Sequence, residues 1–337
     1  MFDVASSTLH VWIWRVIPAL IHVLRDNVQF PTSRAGLDAL AAGFANIAGG
    51  LGAAIPNTVC AFDGVVVQKC PPPQEKLVAG GSVRTNTAAH YYRKGYFGAA
   101  VMAFVDAKCR FLSVSMACAA SCHDSTMYDC SAAGRLLAAG LVDSKYIAVG
   151  DDAFVTSGHV LTPYKGHSLT PQEDAFNYYL SLQRQVVERT FAIWKRKWGI
   201  FWRSLCVCEV HVKLIINVTC HLHNFCIDRD VSADIDDYID HNERYWVAVK
   251  PKAIRHHRLQ EPPECRDAVL LHVEERAPFL PDVFVYGVQE RCKRKALCDS
   301  IAQQGLTRPP PRDLPQVAPL HRGSANLPPP APMVLLQ

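Results

Sequence analysis

Apolar positions in the first stretch of the chain recur every three to four residues. In "SSTLHVWIWRVIPALIHVL", Leu9, Ile13, Val16 and Leu20 fall on one helical face behind Ser6, Ser7 and Thr8, residues suited to capping a helix start. This predicts a helical segment over residues 1–50. From about residue 57 the period changes: "TVCAFDGVVVQK", "YFGAAVMAFVD" and "RFLSVSMACAA" are short β-branched or aromatic runs broken by Gly, Pro or charge. Such runs suit buried strands. "HDSTMYDCSAAGRLLAAGL" reads as a helix and "KYIAVGD" as a fourth strand; after a loop come a long helix over about residues 175–198 and another over "VHVKLIINVTCHLHNF". The order β-β-β-α-β-α predicts an α/β domain.

Beyond Asp228 the periodicity decays into an acidic run, "DRDVSADIDDYIDHNE", and a basic one, "KPKAIRHHR". From Arg308 the Pro-rich stretch "RPPPRDLPQVAPLHRGSANLPPPAPMVLLQ" is expected to stay disordered or extended as polyproline. The chain therefore divides into residues 1–50, 51–228, a partly ordered extension 229–307 and a tail 308–337.

Composition narrows the picture. At 337 residues with 49% hydrophobic and 20% charged positions, the chain can bury a sizeable core. Its net charge of +4 makes no global basic field, so a nucleic-acid partner must be met by local clusters. The 13 cysteines are odd in number, irregularly spaced and set in apolar runs such as "CAASC" and "CVCEV", which predicts reduced thiols in an intracellular protein. "MFDVASSTLH" lacks the basic start and apolar core of a signal peptide. "VWIWRVIPALIHVL" is interrupted by Arg15, Pro18 and His22 and is too short to span a bilayer, so a membrane role is not expected.

Three acids stand where chemistry would want them. Asp63 closes the apolar run "VCAFDG", with Gly64 permitting close approach, and Asp151 closes "YIAVGDD". Glu188 lies on the long helix, whose Leu180, Val187, Phe191, Trp194 and Trp198 form an apolar stripe, and Arg184 and Lys195 share its face. Carboxylates around hard divalent cations, flanked by phosphate-holding bases, suit phosphodiester chemistry. Each acid also has a local reading. Asp63 and Asp151 can satisfy turn backbone, and Glu188 can pair with Arg184 at four-residue spacing. Asp124, beside His123, reads as a charge at a helix N-terminus. Cys206, Cys208, His211, Cys220, His221, His223 and Cys226 lack paired C-x2-C spacing and read as core packing rather than zinc ligands. In "WKRKWGIFWR" the three tryptophans among Lys195, Arg196, Lys197 and Arg203 suit DNA backbone contact and base stacking. "RCKRK" at 291–295 is a weak nuclear-import signal.

The ordered set "FDG", "CHDST", "VGDDAF", "LTPYK", "FNYYLSLQRQVVERTFAIWKRKWGIF" and "CHLHNF" resembles the successive motifs of PIF/Harbinger DDE transposases and their domesticated nuclease relatives, over about residues 1–227. The resemblance implies an RNase H-like mixed sheet flanked by helices, with Asp63, Asp151 and Glu188 as catalytic ligands of Mg²⁺ or Mn²⁺. It implies DNA cleavage, strand joining by the resulting 3′-hydroxyl, and a nuclear protein, with the cytoplasm as the other compartment. It also implies a Myb-like DNA-binding partner and self-association. Arg184, Lys195, Arg196, Lys197 and Arg203 would contact DNA. The chain departs from the family pattern in having "AASCHDS" where relatives have Pro-Gly-Ser before His-Asp-Ser, and Phe154 where many have Tyr. Met1 falls inside the helix-turn-helix that precedes the nuclease domain in relatives, so the first helix is expected to be a remnant of it. Two other classes stay open: a domesticated or decayed copy that binds DNA or protein without cutting, and a phosphohydrolase acting on small substrates.

Overall fold

The computed structural model describes residues 5–73, 75–78, 81–140, 142–166, 168–229 and 288–309. The chain divides into two units, residues 1–307 and 308–337. Most of the expected extension over 229–307 and nearly all of the expected disordered tail lie outside the described residues.

Two helices come first, α1 (Ser6–Val23) and α2 (Arg34–Ala45). The strand β1 (Thr58–Gln68) follows, then a short hairpin of β2 (Glu75–Val78) and β3 (Gly81–Arg84). Next come β4 (Tyr91–Tyr92), β5 (Tyr96–Val105) and β6 (Phe111–Ser115), the helices α3 (Asp124–Cys130) and α4 (Ala132–Ala138), and the strands β7 (Ile147–Val149) and β8 (Val160–Leu161). The helices α5 (Pro171–Lys197), α6 (Glu209–Ile227) and α7 (Val288–Gln303) complete the described order.

Six strands form one mixed sheet, in which β4 and β6 both flank β5 and the path continues through β1 and β7 to β8. β1, β5 and β6 pair antiparallel, whereas β1–β7 and β7–β8 are parallel. A mixed sheet of this order with helices on both faces is compatible with the RNase H-like arrangement. Alternation sorts the side chains. Ala61, Val65 and Val67 of β1 join the core shared with α5 and α6, and Cys60 and Phe62 join the core shared with α2, α3 and α4.

Buried amides lock this arrangement. Gln183 of α5 donates to Gly52 O (2.8 Å) and Ile55 O (2.9 Å) and accepts from Thr58 Oγ1 (2.7 Å), so the long helix is tied to the start of β1. Asn224 of α6 accepts from Phe111 N (2.8 Å) and donates to Phe111 O (2.8 Å) and Asn27 O (2.6 Å), joining β6 and the turn after α1. Both residues are fully buried, and each unpaired amide would cost on the order of 1–3 kcal/mol. The motif "CHLHNF" thus carries structure: His221, His223 and Asn224 are all buried.

Several expectations change. The predicted helix over 123–141 is broken at Ser131, whose hydroxyl caps α4 through Gly134 N (3.0 Å). α1 starts after Ala5 with no side-chain cap, and Leu9, Ile13 and Val16 are exposed; the helix meets α6 instead through Trp14, whose ring stacks on His211 at 3.5 Å. Cys70 and Cys206 form a disulfide, against the expectation of reduced thiols throughout. α7, which no periodicity announced, packs on α5 and buries Cys298 and Ile301. Two cations of the run read as an import signal hold α7 down: Lys293 Nζ donates to Ser144 O and Gly158 O, and Arg294 lies over the Tyr164 ring at 4.1 Å. No helix among the described residues is long and apolar enough to cross a membrane.

Asn224→Ala should lower unfolding free energy by about 2–4 kcal/mol, read by urea denaturation, because it orphans both Phe111 backbone groups. His223 is pushed down from 6.5 to about 4 by burial. It folds neutral and protonates when unfolded, so its contribution is present above pH 6.5 and is lost as pH falls towards 4. Urea midpoints should drop across that window by an amount worth roughly 3 kcal/mol, and His223→Gln should flatten the drop.

Candidate active site

The site grows from the pairing of β1 with β7. Ala61 lies opposite Val149 in a parallel register, so two residues further along each chain stand Asp63 and Asp151, side by side. Both positions keep the parity of Ala61 and Val149, whose side chains face α5. Asp63 is not at the end of its strand, as expected from "VCAFDG". β1 runs on to Gln68 because β5 stays paired with it, whereas β7 stops at Val149. The acid therefore sits mid-strand, beside the gap left where β7 ends.

Each carboxylate takes one nearby backbone N–H: Asp63 Oδ1 accepts from Gly64 N at 2.7 Å, and Asp151 Oδ1 from Ala153 N at 2.9 Å. These are the local turn contacts anticipated for both. They leave further lone pairs on each carboxylate. Burial, then the neighbouring charge of Asp151, pushes the Asp63 carboxyl up to about 7, while the Gly64 N–H and Arg184 pull the other way.

Asp124, read from the sequence as a charge at a helix N-terminus, lies there and also within the field of the other acids. It opens α3, and a Cβ on Gly64 would lie 2.6 Å from Asp124 Oδ1 and 2.5 Å from Met127 Cε, so α3 is seated directly against β1. Burial and then Asp151 raise its pKa; Arg93 lowers it. Arg93, on the turn between β4 and β5, feels both Asp124 and Asp151 and was not singled out by any pattern.

Glu188 sits on α5, but its carboxylate is held by Arg184 at 2.6 Å, and its side chain is 53% exposed. Among the described residues no group of three or more His, Cys, Asp or Glu side chains is assembled to hold a metal ion. The donor chemistry of Asp63 and Asp151 fits a hard divalent cation: oxygen ligands, adjacent, one of them raised by burial and by its neighbour's charge. Glu188, expected as the third ligand, is turned to Arg184.

The expected DNA-contacting bases divide. Arg184 is engaged with Glu188, Lys195 donates to Val66 O at 3.3 Å, and the Lys197 ammonium is buried, while Arg196 and Arg203 are exposed. The three tryptophans do not form a stacking platform. Trp194 is fully buried and donates to Thr219 Oγ1 (3.1 Å), Trp198 is half-buried, and only Trp202 is exposed. The helical stripe that made Trp194 a core residue outweighed its basic neighbours.

Residues 66–224 match the family model of the DDE superfamily endonucleases. The match begins three residues after Asp63 and includes Asp151 and Glu188. Neither the curated proteins nor the solved structures return a match to this chain.

Asp63 carries a raised carboxyl, so its ionisation opposes folding. That cost is absent near pH 4, grows as pH rises through the window between 3.8 and about 7, and is complete above it. In metal-free buffer Asp63→Asn should melt higher than the parent at pH 8, by the equivalent of a few kcal/mol at most, and level with it near pH 4. Equal melting temperatures at both pH values would show that the acid is not strained.

Proposed function

We propose that residues 51–228 form a divalent-metal-dependent DNA endonuclease of the PIF/Harbinger transposase type. The observation that carries the reading is the in-register placement of Asp63 and Asp151 on the α5 face, within the segment that resembles this family or directly beside it. Two adjacent carboxylates, one of them raised to about 7 by burial and by the other's charge, make a local excess of negative charge that a cation relieves.

Asp63 and Asp151 would hold Mg²⁺ or Mn²⁺, and Glu188 would complete the set once Arg184 turns to another anion. A divalent cation bound there supplies Lewis acidity to a phosphodiester and makes water a stronger nucleophile near neutral pH. Arg184 is the residue positioned to mediate the exchange, because its field reaches Asp63 while its guanidinium holds Glu188. A phosphate arriving beside it offers a charge-assisted partner in place of Glu188. Arg93, within the field of Asp124 and Asp151, would neutralise phosphate charge beside them. Joining of strands by a released 3′-hydroxyl is the same chemistry with a different nucleophile, and a DNA substrate implies a nuclear site of action. A Myb-like protein or a second copy would supply the sequence recognition.

The Arg184–Glu188 ion pair favours one rival: a copy that binds DNA without cutting it. Supercoiled-plasmid nicking with and without Mn²⁺ separates the two. Glu188→Gln, Asp63→Asn and Asp151→Asn should each cut nicking by about 100-fold or more and reduce the rise in melting temperature that Mn²⁺ produces. Asp26→Asn, on the exposed turn after α1, should change neither. Nicking by Glu188→Gln at the parent rate would make Glu188 only Arg184's helix partner. A parent protein that neither nicks nor gains stability from metal would leave the binding-only reading.

A further inference from the structure

The edge of β5 facing away from β1 is covered in two separate pieces. β4 pairs with Phe97 and Tyr96, and β6 pairs from Met102 to Val105, so Gly98 to Val101 have no strand beside them on that edge. Pairing parity shows which backbone groups face the gap. Lys69 N donates to Phe97 O (2.9 Å), so Phe97, Ala99 and Val101 turn their N–H and C=O groups to β1, and Ala100 turns its own away. Ala100 is 3% exposed, and among the described residues no hydrogen bond takes up either group. These groups face the gap and can pair with an incoming strand.

The gap opens on a cavity of about 210 Å³ lined by Gly98–Ala100, the Met116–Ala120 segment, His90, Glu209 and Lys213. That volume corresponds to roughly seven waters at liquid density, room for two small residues. The Met116–Ala120 segment is kept from closing the gap by its continuation, because Ser121 N donates to Ala89 O (3.2 Å). The charges are asymmetric. Lys69, itself buried, pairs with Glu209 and lies 3.0 Å from His90 Nδ1, so the one acid of the cavity is neutralised from below. Lys213, one helical turn beyond Glu209 and exposed, forms no ion pair among the described residues.

We propose that this notch binds the carboxyl end of an extended peptide. An incoming residue would pair its N–H and C=O with those of Ala100 as an added strand, and its terminal carboxylate would meet Lys213. A chain end is required because β4 and β6 block the same edge on both sides of a four-residue gap, which a through-going strand could not cross. An amino end is excluded by the lysine. The small walls of Gly98, Ala99, Ala117 and Ala119 select small side chains. None of Asp63, Asp124, Asp151 and Glu188 lines the cavity, and the proposal does not depend on the nuclease reading.

Amide chemical shifts of the full chain, labelled with ¹⁵N, test this with three probes: acetyl-Ala-Ala with a free carboxylate, its carboxamide, and the analogue methylated on the nitrogen of the first alanine. The free acid should shift Gly98–Val101 and Met116–Ala120 saturably. The carboxamide and the methylated analogue should each bind at least about tenfold weaker, as should the free acid to Lys213→Met, which alters an exposed residue and leaves the fold intact. Absence of shifts at these residues, or equal binding of all three probes, would overturn the proposal.

Discussion

The parallel pairing of β1 with β7 is the constraint on which the candidate site rests. It joins residues 88 positions apart in the chain, and its register, Ala61 opposite Val149, decides that Asp63 and Asp151 are neighbours and not merely on the same sheet. A slip of one residue would turn one acid to the opposite face, into the aromatic cluster of Phe62, Phe104, Tyr128 and Phe154. Register is protected there by shape. A Cβ on Gly150 would lie 2.6 Å from Cζ of Phe62, so the glycine before Asp151 admits the ring that keys the two strands together.

α5 serves both the fold and the chemistry with adjacent residues. Gln183 points into the core and bonds to Gly52, Ile55 and Thr58, while Arg184, next in sequence, holds Glu188 and lies within the field of Asp63. Fixing one fixes the other, because a helix has little freedom to rotate once a buried amide with three partners is seated. The Arg184–Glu188 pair is a different kind of contact. Glu188 is half exposed although Arg184 is mostly covered, and helical pairs at this spacing contribute only about 0.3–0.5 kcal/mol, so an anion beside the arginine would compete with this contact.

The strands and long helices were legible because their signal is local. β-branched runs between breaks marked β1, β5 and β6, and the stripe from Leu180 to Trp194 marked α5. What escaped is non-local or short. β8 has two residues and exists because the edge of β7 offers it a ladder, and the β2–β3 hairpin and β4 are likewise too brief for a period. The Cys70–Cys206 bond joins residues whose spacing carries no pattern; their Cα atoms meet at 4.9 Å because Leu205 N–H and Cys70 N–H exchange bonds with the end of β1 and the segment before α6. In the candidate site Asp63, Asp151 and Glu188 could be named from motif order, and the local partner of each, turn backbone or Arg184, from spacing; which of the two readings prevails could not. Whether Glu188 faces a cation or Arg184 is decided by side-chain rotamers across a cleft, about which spacing is silent.

The acids themselves show why such a cleft should be kept. Three carboxylates, Asp63, Asp124 and Asp151, lie within each other's fields, and two of them are partly desolvated. A core assembled for stability alone would replace at least one with a neutral residue, since each raised carboxyl opposes folding at neutral pH. The bases nearby do not cancel this charge. Arg184 acts on Asp63 only as a minor opposing influence, and Arg93 is fully exposed at a hairpin turn. An arrangement that stores repulsion at the end of a well-fixed strand pair is stabilised by whatever brings positive charge into the cleft, and the hard oxygens on offer suit a divalent cation.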